Sequence, residues 1–315
     1  MLFGEFLSKK EILVKWEKIG QIIVPDTSLF WNQTHAMLPT ADHIEGDIFR
    51  IYYSGRDKEN RSHIGAVTVN LLAPHEIIDI TDQPLLSPGQ LGCFDDNGVS
   101  PSCIVNWGDR KLLYYIGWKP RCTTRMSVVA GLAQSVDGGK TFSRVSRAPV
   151  LRRTDREPFG IMTAPWVLQD DGLFRMWYVS GVEWVHADLP KYNIKYAESK
   201  DGVNWVQDAI VAINSRDERE TSLARPCVFK DGGRYKMWYS YKYDGANYVM
   251  GYAESPDGVT WKRMDDQVGI SRSAIGWDSE MIEYGAVISH RGNKYMFFNG
   301  NGYGTSGAGL AILHA

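Results

Sequence analysis

Carboxylate side chains recur in this sequence a few residues ahead of a repeated anchor position, where they could carry out acid–base chemistry. Asp95, Glu220 and Glu280 each lie six residues before an anchor, and Glu283 lies three residues before the last one. Two carboxyl groups can work as a general acid and its partner if the surroundings keep one of them protonated at neutral pH. We predict that the catalytic residues are drawn from Asp95, Glu220 and Glu283.

The same loops, and the loops one strand further along, carry other side chains that could hold a substrate. The predicted binding residues are Trp31, His35, Arg56, His63, Asp96, Glu157, Lys195, Arg225, Asp278 and Glu280. Aromatic rings beside carboxylates suit a sugar, because the rings stack on its apolar face and the polar groups fix its hydroxyls. The cations indicate that the sugar is also acidic, as a uronate, a phosphate or a nucleotide sugar would be.

Each of these residues also has a structural alternative. A carboxylate can cap a turn or pair with a neighbouring arginine. Adjacent side chains in an extended loop point to opposite sides, so the adjacency of Asp95 and Asp96 does not by itself indicate a catalytic pair. The register that Asp95 shares with Glu220 favours Asp95 as the one that faces the site. A buried Arg225 needs an anion, which the protein or a substrate could supply, and His63 could equally contact a neighbouring strand.

A repeat of the chain positions all of these side chains. Its anchors are Pro39, Pro101, Pro165, Pro226 and Ala286, spaced by 62, 64, 61 and 60 residues. Around each anchor the sequence predicts a short apolar strand, a polar turn with glycine and an aromatic strand, as in "TAPWVLQDDGLFRMWYVSG" (163–181) and "ARPCVFKDGGRYKMWYSYK" (224–242). A period of this length is typical of propellers and other repeat folds.

A third and a fourth strand follow each anchor pair, and a recurring turn joins them. "SVDGGKTF" (135–142) matches the Asp-box pattern SxDxGxT[WF], and "SKDGVNW" (199–205) and "SPDGVTW" (255–261) are shortened versions. Aspartate and glycine suit a tight hairpin, because one bonds its own backbone and the other tolerates positive φ. We expect these turns to be structural and the "MWY" segments to be core.

The repeat predicts an all-β, five-bladed β-propeller with four-stranded antiparallel blades in a single domain, 1–315. Blades are predicted to start near residues 36, 99, 162, 223 and 284. The last unit lacks a fourth strand, and segment 14–25 resembles one, with Trp16 in the place of Trp205 and Trp261. That segment is expected to close the ring. The long loops gather at one end, so the site is predicted at the channel entrance there.

The repeat pattern, with "YAESKDGVNW" (196–205) and "YAESPDGVTW" (252–261), resembles the five-bladed propeller glycosidases of glycoside hydrolase families 43, 32, 68 and 130 over essentially the whole chain. The resemblance implies a glycosidase. The family 43 pattern places acids beside the anchors, where this chain has Leu38-Pro39-Thr40, Ser100-Pro101-Ser102 and Leu223-Ala224-Arg225-Pro226. No carboxylate occupies these positions, so the acids of this chain are expected elsewhere in the same loops.

Composition narrows the function further. The formal net charge of −2 indicates neither nucleic acid nor a membrane surface as a partner. The sequence shows no CxxC pair, no signal peptide and no apolar run long enough for a membrane helix. We expect a cytoplasmic monomer or small homo-oligomer without metal or cofactor that hydrolyses a glycosidic bond. The alternatives are a glycoside phosphorylase of the same fold, or a propeller that binds a sugar or nucleotide sugar without hydrolysing it.

Overall fold

The computed structural model describes residues 14–314, and nearly all of its regular structure is β-strand. The prediction of an all-β chain is confirmed. The helical structure among these residues is a 3₁₀ turn at Asp265–Gln267 and a helical turn, α1, at Asn301–Gly304. No helix in this part of the chain has the length and apolar character that crossing a membrane requires. The prediction that no signal peptide is present falls on residues 1–13, outside the described residues.

The structure describes twenty strands, which we number in chain order. They are β1 (Glu17–Ile23), β2 (Thr34–Glu45), β3 (Ile48–Arg56), β4 (Ser62–Asn70), β5 (Ile77–Ile80), β6 (Val99–Trp107), β7 (Arg110–Pro120), β8 (Met126–Ser135), β9 (Ser143–Arg144), β10 (Ile161–Asp170), β11 (Leu173–His186), β12 (Leu189–Ser199), β13 (Val206–Ile213), β14 (Glu220–Asp231), β15 (Arg234–Tyr243), β16 (Val249–Ser255), β17 (Lys262–Arg263), β18 (Glu283–His290), β19 (Asn293–Asn299) and β20 (Ala308–Leu313).

Strand pairing divides these strands into five groups, which we number in chain order. Group 1 is β2–β5, group 2 is β6–β9, group 3 is β10–β13 and group 4 is β14–β17. Group 5 is β18–β20 together with β1, which pairs antiparallel with β20. Groups 2, 3 and 4 form one 12-stranded sheet, because short parallel contacts join β8 to β10 and β12 to β14.

The hairpin turns take the backbone conformation that their residues allow. The turn between β10 and β11 has positive φ at both Asp171 (52°) and Gly172 (76°). Positive φ at both central residues is the signature of a type I′ turn, whose twist matches the strands it joins. In the Asp-box turn, the Asp137 carboxylate accepts the backbone N–H groups of Lys140 and Thr141, each at 3.0 Å. Local bonds of this kind fix the turn without help from the core.

The Asp-box turns also tie neighbouring groups together. The hydroxyl of Tyr114 in group 2 donates to the carbonyl of Gly202 in group 3 at 2.7 Å. The indole of Trp177 in group 3 donates to the carbonyl of Gly258 in group 4, also at 2.7 Å. Both aromatic side chains are fully buried between groups. The "MWY" aromatics therefore serve as inter-group core, as predicted from the sequence.

Candidate active site

The predicted catalytic residues Asp95 and Glu220 are buried and occupied by protein partners. The Asp95 carboxylate accepts hydrogen bonds from Arg144 Nε at 2.8 Å and from the Tyr115 hydroxyl at 2.9 Å. The two carboxylate oxygens of Glu220 each accept a guanidinium N–H of Arg263 at 2.7 Å. The positive charge of the paired arginine compensates the negative charge of each carboxylate. Neither residue is among those that line the central cavity described below.

A common pattern underlies these pairs. Arg144 lies on β9 and Arg263 on β17, the fourth strands of groups 2 and 4, and each binds an acid that precedes or begins the first strand of its own group. In group 5, Asp278 accepts from Lys18 of β1 at 2.5 Å. A repeated ion pair between the fourth strand of a group and the start of its first strand thus explains why Asp95 and Glu220 have the same spacing from their anchors. These pairs hold the loops in place.

Three of the predicted binding residues are also buried and bonded to other protein groups. Glu157 accepts from Ser180 Oγ at 2.7 Å and pairs with Lys195 at 3.3 Å. Trp31 is fully buried in a hydrophobic cluster, and its indole donates to the carbonyl of Thr81. These three predicted residues contact protein groups and lie apart from the central cavity's lining.

Some of the other predicted binding residues are bonded to protein groups, and others lie at the surface. His63 bonds to Asp57 at 3.0 Å and is buried. Asp96 accepts the Gly92 N–H, and Glu280 is exposed. His35 is half-buried, and burial together with the Arg56 charge lowers its pKa to about 4, so the imidazole is neutral at physiological pH.

A central cavity of about 480 Å³ opens where the first strands of all five groups come together. Its lining residues are Met37, Leu38, Arg56, Asn60, Ser100, Ile116, Trp118, Arg125, Met126, Val128, Ile161, Thr163, Ala164, Val179, Tyr192, Ala224, Arg225, Lys242, Tyr248, Tyr284 and Tyr303. Arg56 and Arg225 are the predicted site residues found in this lining. The volume is in the range of small-molecule sites, and convergence of five groups on one cavity is typical of a propeller channel.

The backbone around the cavity is strained in a repeated way. Leu38, Ala164, Arg225 and Tyr284 have positive φ values between 43° and 58°, and each lies at or beside an irregularity in the first strand of its group. All four line the cavity. Non-glycine residues rarely adopt this conformation, which costs about 1 kcal/mol or more for each residue. Strain that recurs at one register around a cavity marks it as the candidate functional site.

Glu283 is the third predicted catalytic residue, and its environment differs from that of Asp95 and Glu220. It is fully buried at the start of β18, directly before the lining residue Tyr284, and like Asp95 and Glu220 it is not itself among the residues that line the cavity. Its Oε1 accepts a long hydrogen bond of 3.3 Å from Asn299, while Oε2 has no partner among the described residues. Burial raises the pKa of this carboxyl from 4.5 to about 8, so it holds its proton at neutral pH.

Four cations belong to the lining without an ion-pair partner among the described residues, and two of them, Lys242 and Arg225, lie near Glu283. Arg225 is buried, and its two terminal nitrogens donate to the carbonyls of Leu38, Pro39 and Tyr284 and to Thr40 Oγ1, while its Nε has no partner among the described residues. It forms no salt bridge to any described carboxylate. Arg56, Arg125 and Lys242 likewise form none within residues 14–314. Burial and the nearby Arg125 charge lower the pKa of Lys242. Unpaired cations in a partly desolvated cavity attract an anion.

Tyrosine hydroxyls complete the polar part of the lining. The hydroxyls of Tyr192 and Tyr248 lie 2.5 Å apart, and the Tyr248 ring packs against Tyr284 and Tyr303 with centroid distances of 5.6 and 6.3 Å. The Lys242 ammonium lies 5.1 Å from the centre of the Tyr248 ring.

Over the described residues, no group of three or more His, Cys, Asp or Glu side chains is arranged to hold a metal ion.

Sequence reasoning missed part of this lining. Arg125, Tyr248, Tyr284 and Tyr303 were not among the predicted site residues, although they belong to the long loops and first strands that the repeat placed at the site. Tyr284 occupies the equivalent of Arg225 when the first strands of groups 4 and 5 are aligned by their bulges. The sequence repeat does not give this equivalence, because its anchors Pro226 and Ala286 follow Arg225 and Tyr284 at different distances.

Comparison with solved structures defines the class of fold. The chain matches a glycosyl hydrolase from Bacteroides ovatus with a TM-score of 0.74 and 13% identity, covering 96% of this chain and 94% of that one. It matches a thermostable family-43 glycoside hydrolase with a TM-score of 0.68 and 16% identity, covering 89% and 88%. Another glycoside hydrolase gives a TM-score of 0.70 and 19% identity, covering 95% and 92%. The all-β fold is therefore that of the glycoside hydrolase propellers.

Sequence comparison gives the family. The uncharacterized proteins MT1551 and Rv1502 of Mycobacterium tuberculosis (strains CDC 1551 / Oshkosh and ATCC 25618 / H37Rv) are 45% and 44% identical to this chain over 299 residues. The alignments cover 95% of this chain and 99% of each relative. The chain belongs to the family of these two proteins. No protein-family model matches it.

Proposed function

We propose that the protein is a carbohydrate-active enzyme that hydrolyses the glycosidic bond of a small anionic sugar or sugar conjugate in the central cavity. In this proposal the five strand groups are the five blades of a propeller, and β1 closes the ring through its pairing with β20. Glu283 supplies the acid. The likeness to glycoside hydrolase structures supports the reaction class through the fold alone.

The observation that carries the proposal is the state of Glu283. Glycosidic cleavage needs a carboxylic acid that is still protonated at working pH and can protonate the departing oxygen. The raised pKa of about 8 meets the first requirement. The second requires that Oε2, which has no hydrogen-bond partner among the described residues, reach a leaving-group oxygen past Tyr284, because Glu283 is buried behind the lining and is not part of it. Proton transfer then breaks the C–O bond, water bonds to the anomeric carbon and releases a proton to solvent, and Glu283 is left ionised near Lys242 and Arg225 until it takes up a proton again.

The unpaired cations of the lining support an anionic substrate. Arg225, Arg56, Arg125 and Lys242 together carry four positive charges at one cavity. A carboxylate or phosphate on the sugar would bind there by charge-assisted hydrogen bonds, which are about twice as strong as neutral ones. Once Glu283 has given up its proton, the same cations stabilise its negative charge.

Phosphorolysis is a second candidate, favoured by one specific observation. Hydrolysis with inversion needs a second carboxylate as base for the attacking water, and no carboxylate is found among the described residues that line the cavity. Inorganic phosphate is its own nucleophile and needs no base. The four cations would bind it, and the glycosyl group would pass to phosphate oxygen while Glu283 protonates the leaving group.

The experiment is a glycoside screen with and without inorganic phosphate, on wild type, E283Q and a matched control, E45Q. Glu45 is the exposed last residue of β2. We expect wild type and E45Q to cleave an anionic glycoside equally and E283Q to lose about 10²–10⁴-fold in rate, the usual contribution of a general acid. Strict dependence on phosphate would select phosphorolysis. Tight binding of a sugar without cleavage in any arm would reject the enzymatic proposal.

A further inference from the structure

The lining of the cavity is divided into an apolar part and a charged part. Ile116, Val128, Ile161, Ala164 and Val179 form one contiguous apolar cluster contributed by groups 2 and 3. We call these five residues the apolar wall. Ile116 and Val128 are only half-buried, so their side chains are not covered by protein. Apolar surface left open inside a cavity gains stabilisation when a ligand removes it from water.

Two of the four cations of the lining, Arg225 and Lys242, come from group 4. They line the cavity together with Tyr248 and Tyr284, which belong to a second cluster. Tyr192 contacts both clusters and joins the two parts of the lining. The lowered pKa of Lys242 agrees with a desolvated position near another cation. Arg225 and Lys242 thus come from a different group than the apolar wall, whereas Arg125 lies between β7 and β8 of group 2 and its charge acts on Lys242.

The lining offers few groups that would fix the hydroxyls of a long sugar chain. Among the described lining residues Asn60 is the one side-chain amide, and there is no carboxylate. Sites that recognise sugars by their hydroxyls combine such groups with aromatic platforms. This cavity instead combines positive charge, phenolic hydroxyls and aliphatic side chains.

We propose that the cavity takes an anionic glycoside whose other half, the aglycone, is apolar. The anionic group, a phosphate or a carboxylate, binds at Arg225 and Lys242, and the alkyl or aryl aglycone lies against the apolar wall. This inference rests on the proposed function for the glycosidic link between the two halves. It names the substrate class, and it assigns the selection of the aglycone to Ile116 and Val128.

The test measures the binding of amphiphilic anions that need no sugar stereochemistry. We would titrate E283Q calorimetrically with butyl, hexyl and octyl phosphate below their micelle concentrations, with the matching alkyl carboxylates, and with the neutral alcohols. Each buried methylene should tighten the dissociation constant by about fourfold, the equivalent of about 0.8 kcal/mol. The alcohols should bind far more weakly than either anion. The phosphate and carboxylate series tell which anion the charged part prefers.

Variants separate the two parts of the lining. V128T replaces a methyl by a hydroxyl at the apolar wall and should reduce the gain per methylene, while its control, V136T, lies at an exposed turn and should not. I116T repeats the test if V128T is poorly folded. K242M should weaken every anion by the same factor at all chain lengths, and the exposed control K140M should have no effect.

Two results would overturn the inference: dissociation constants that do not change with chain length, or alcohols that bind as tightly as the anions. These results are distinguishable from failure of the proposed function. If the chain-length dependence is found and no glycoside is cleaved, the cavity is selective as inferred and the enzymatic proposal fails. If a glycoside is cleaved but alkyl chain length has no effect, the enzymatic proposal stands and the apolar aglycone is rejected.

Discussion

Replacing Glu283 with glutamine should stabilise the protein at alkaline pH and much less at acid pH. Burial raises the pKa of this carboxyl from 4.5 to about 8 in the folded state. Between these pH values the unfolded chain releases the proton while the folded chain keeps it. The folded state then binds more protons, so the free energy of unfolding of the wild type falls as the pH rises through this window.

The magnitude follows from the pKa difference. A tenfold difference in proton affinity is worth about 1.4 kcal/mol, so the wild-type carboxyl costs about 1 kcal/mol of stability at pH 5 and about 4 kcal/mol at pH 8. Glutamine does not titrate. The advantage of E283Q in free energy of unfolding should therefore widen by about 3 kcal/mol from pH 5 to pH 8. At about 2 °C per kcal/mol for a domain of this size, Tm should diverge by roughly 6 °C.

Calorimetric melting of wild type, E283Q and E45Q across this pH range provides the measurement. Any fixed effect of the glutamine on packing cancels, because the prediction concerns how the difference in Tm changes with pH. E45Q should stay parallel to wild type, since Glu45 is exposed. If the difference between E283Q and wild type is also constant from pH 5 to pH 8, the Glu283 carboxyl titrates normally and our interpretation of its environment is refuted.

The ion pairs, the pH dependence of the rate and the inter-group contacts give the remaining predictions. D95N should lower the free energy of unfolding in urea by about 3–5 kcal/mol, because Arg144 loses its buried partner. The kcat of the folded variant should stay nearly unchanged. A loss of kcat with normal stability would instead make Asp95 catalytic. The wild-type kcat/KM should fall about tenfold per pH unit above pH 8 as Glu283 loses its proton, and a rate that rises through that pH would contradict the assignment. W177F removes the hydrogen bond to Gly258 and should cost about 1–3 kcal/mol, whereas an unchanged urea midpoint would show that this contact is dispensable.

The strands were predictable from the sequence because each is specified locally. Alternating apolar residues, glycine turns and the Asp-box segments recur with a period near sixty residues. The hydrogen bonds of Asp137 within its own turn need no distant partner, which is why "SVDGGKTF" predicts its own structure. The all-β class follows from such signals.

The site was harder to predict because its chemistry depends on distant partners. Asp95 and Arg144 are 49 residues apart, and Glu220 and Arg263 are 43 apart. Nothing in the local sequence indicates that these acids are neutralised. The burial of Glu283 is likewise a tertiary property, since the same residue type in an open loop would be ionised. The register groups Asp95 with Glu220, which arginines hold, and it could not separate a structural carboxylate from one with a raised pKa.

The leaving-group dependence of E283Q tests the central claim most directly. The substrates are aryl glycosides of the sugar that the screen identifies, from dinitrophenyl to unsubstituted phenyl. A general acid assists poor leaving groups most, so E283Q should keep nearly wild-type rates on the dinitrophenyl glycoside and lose about 100-fold or more on the phenyl glycoside. An equal loss on all substrates would mean that Glu283 only supports the cavity, and would contradict its role as the acid.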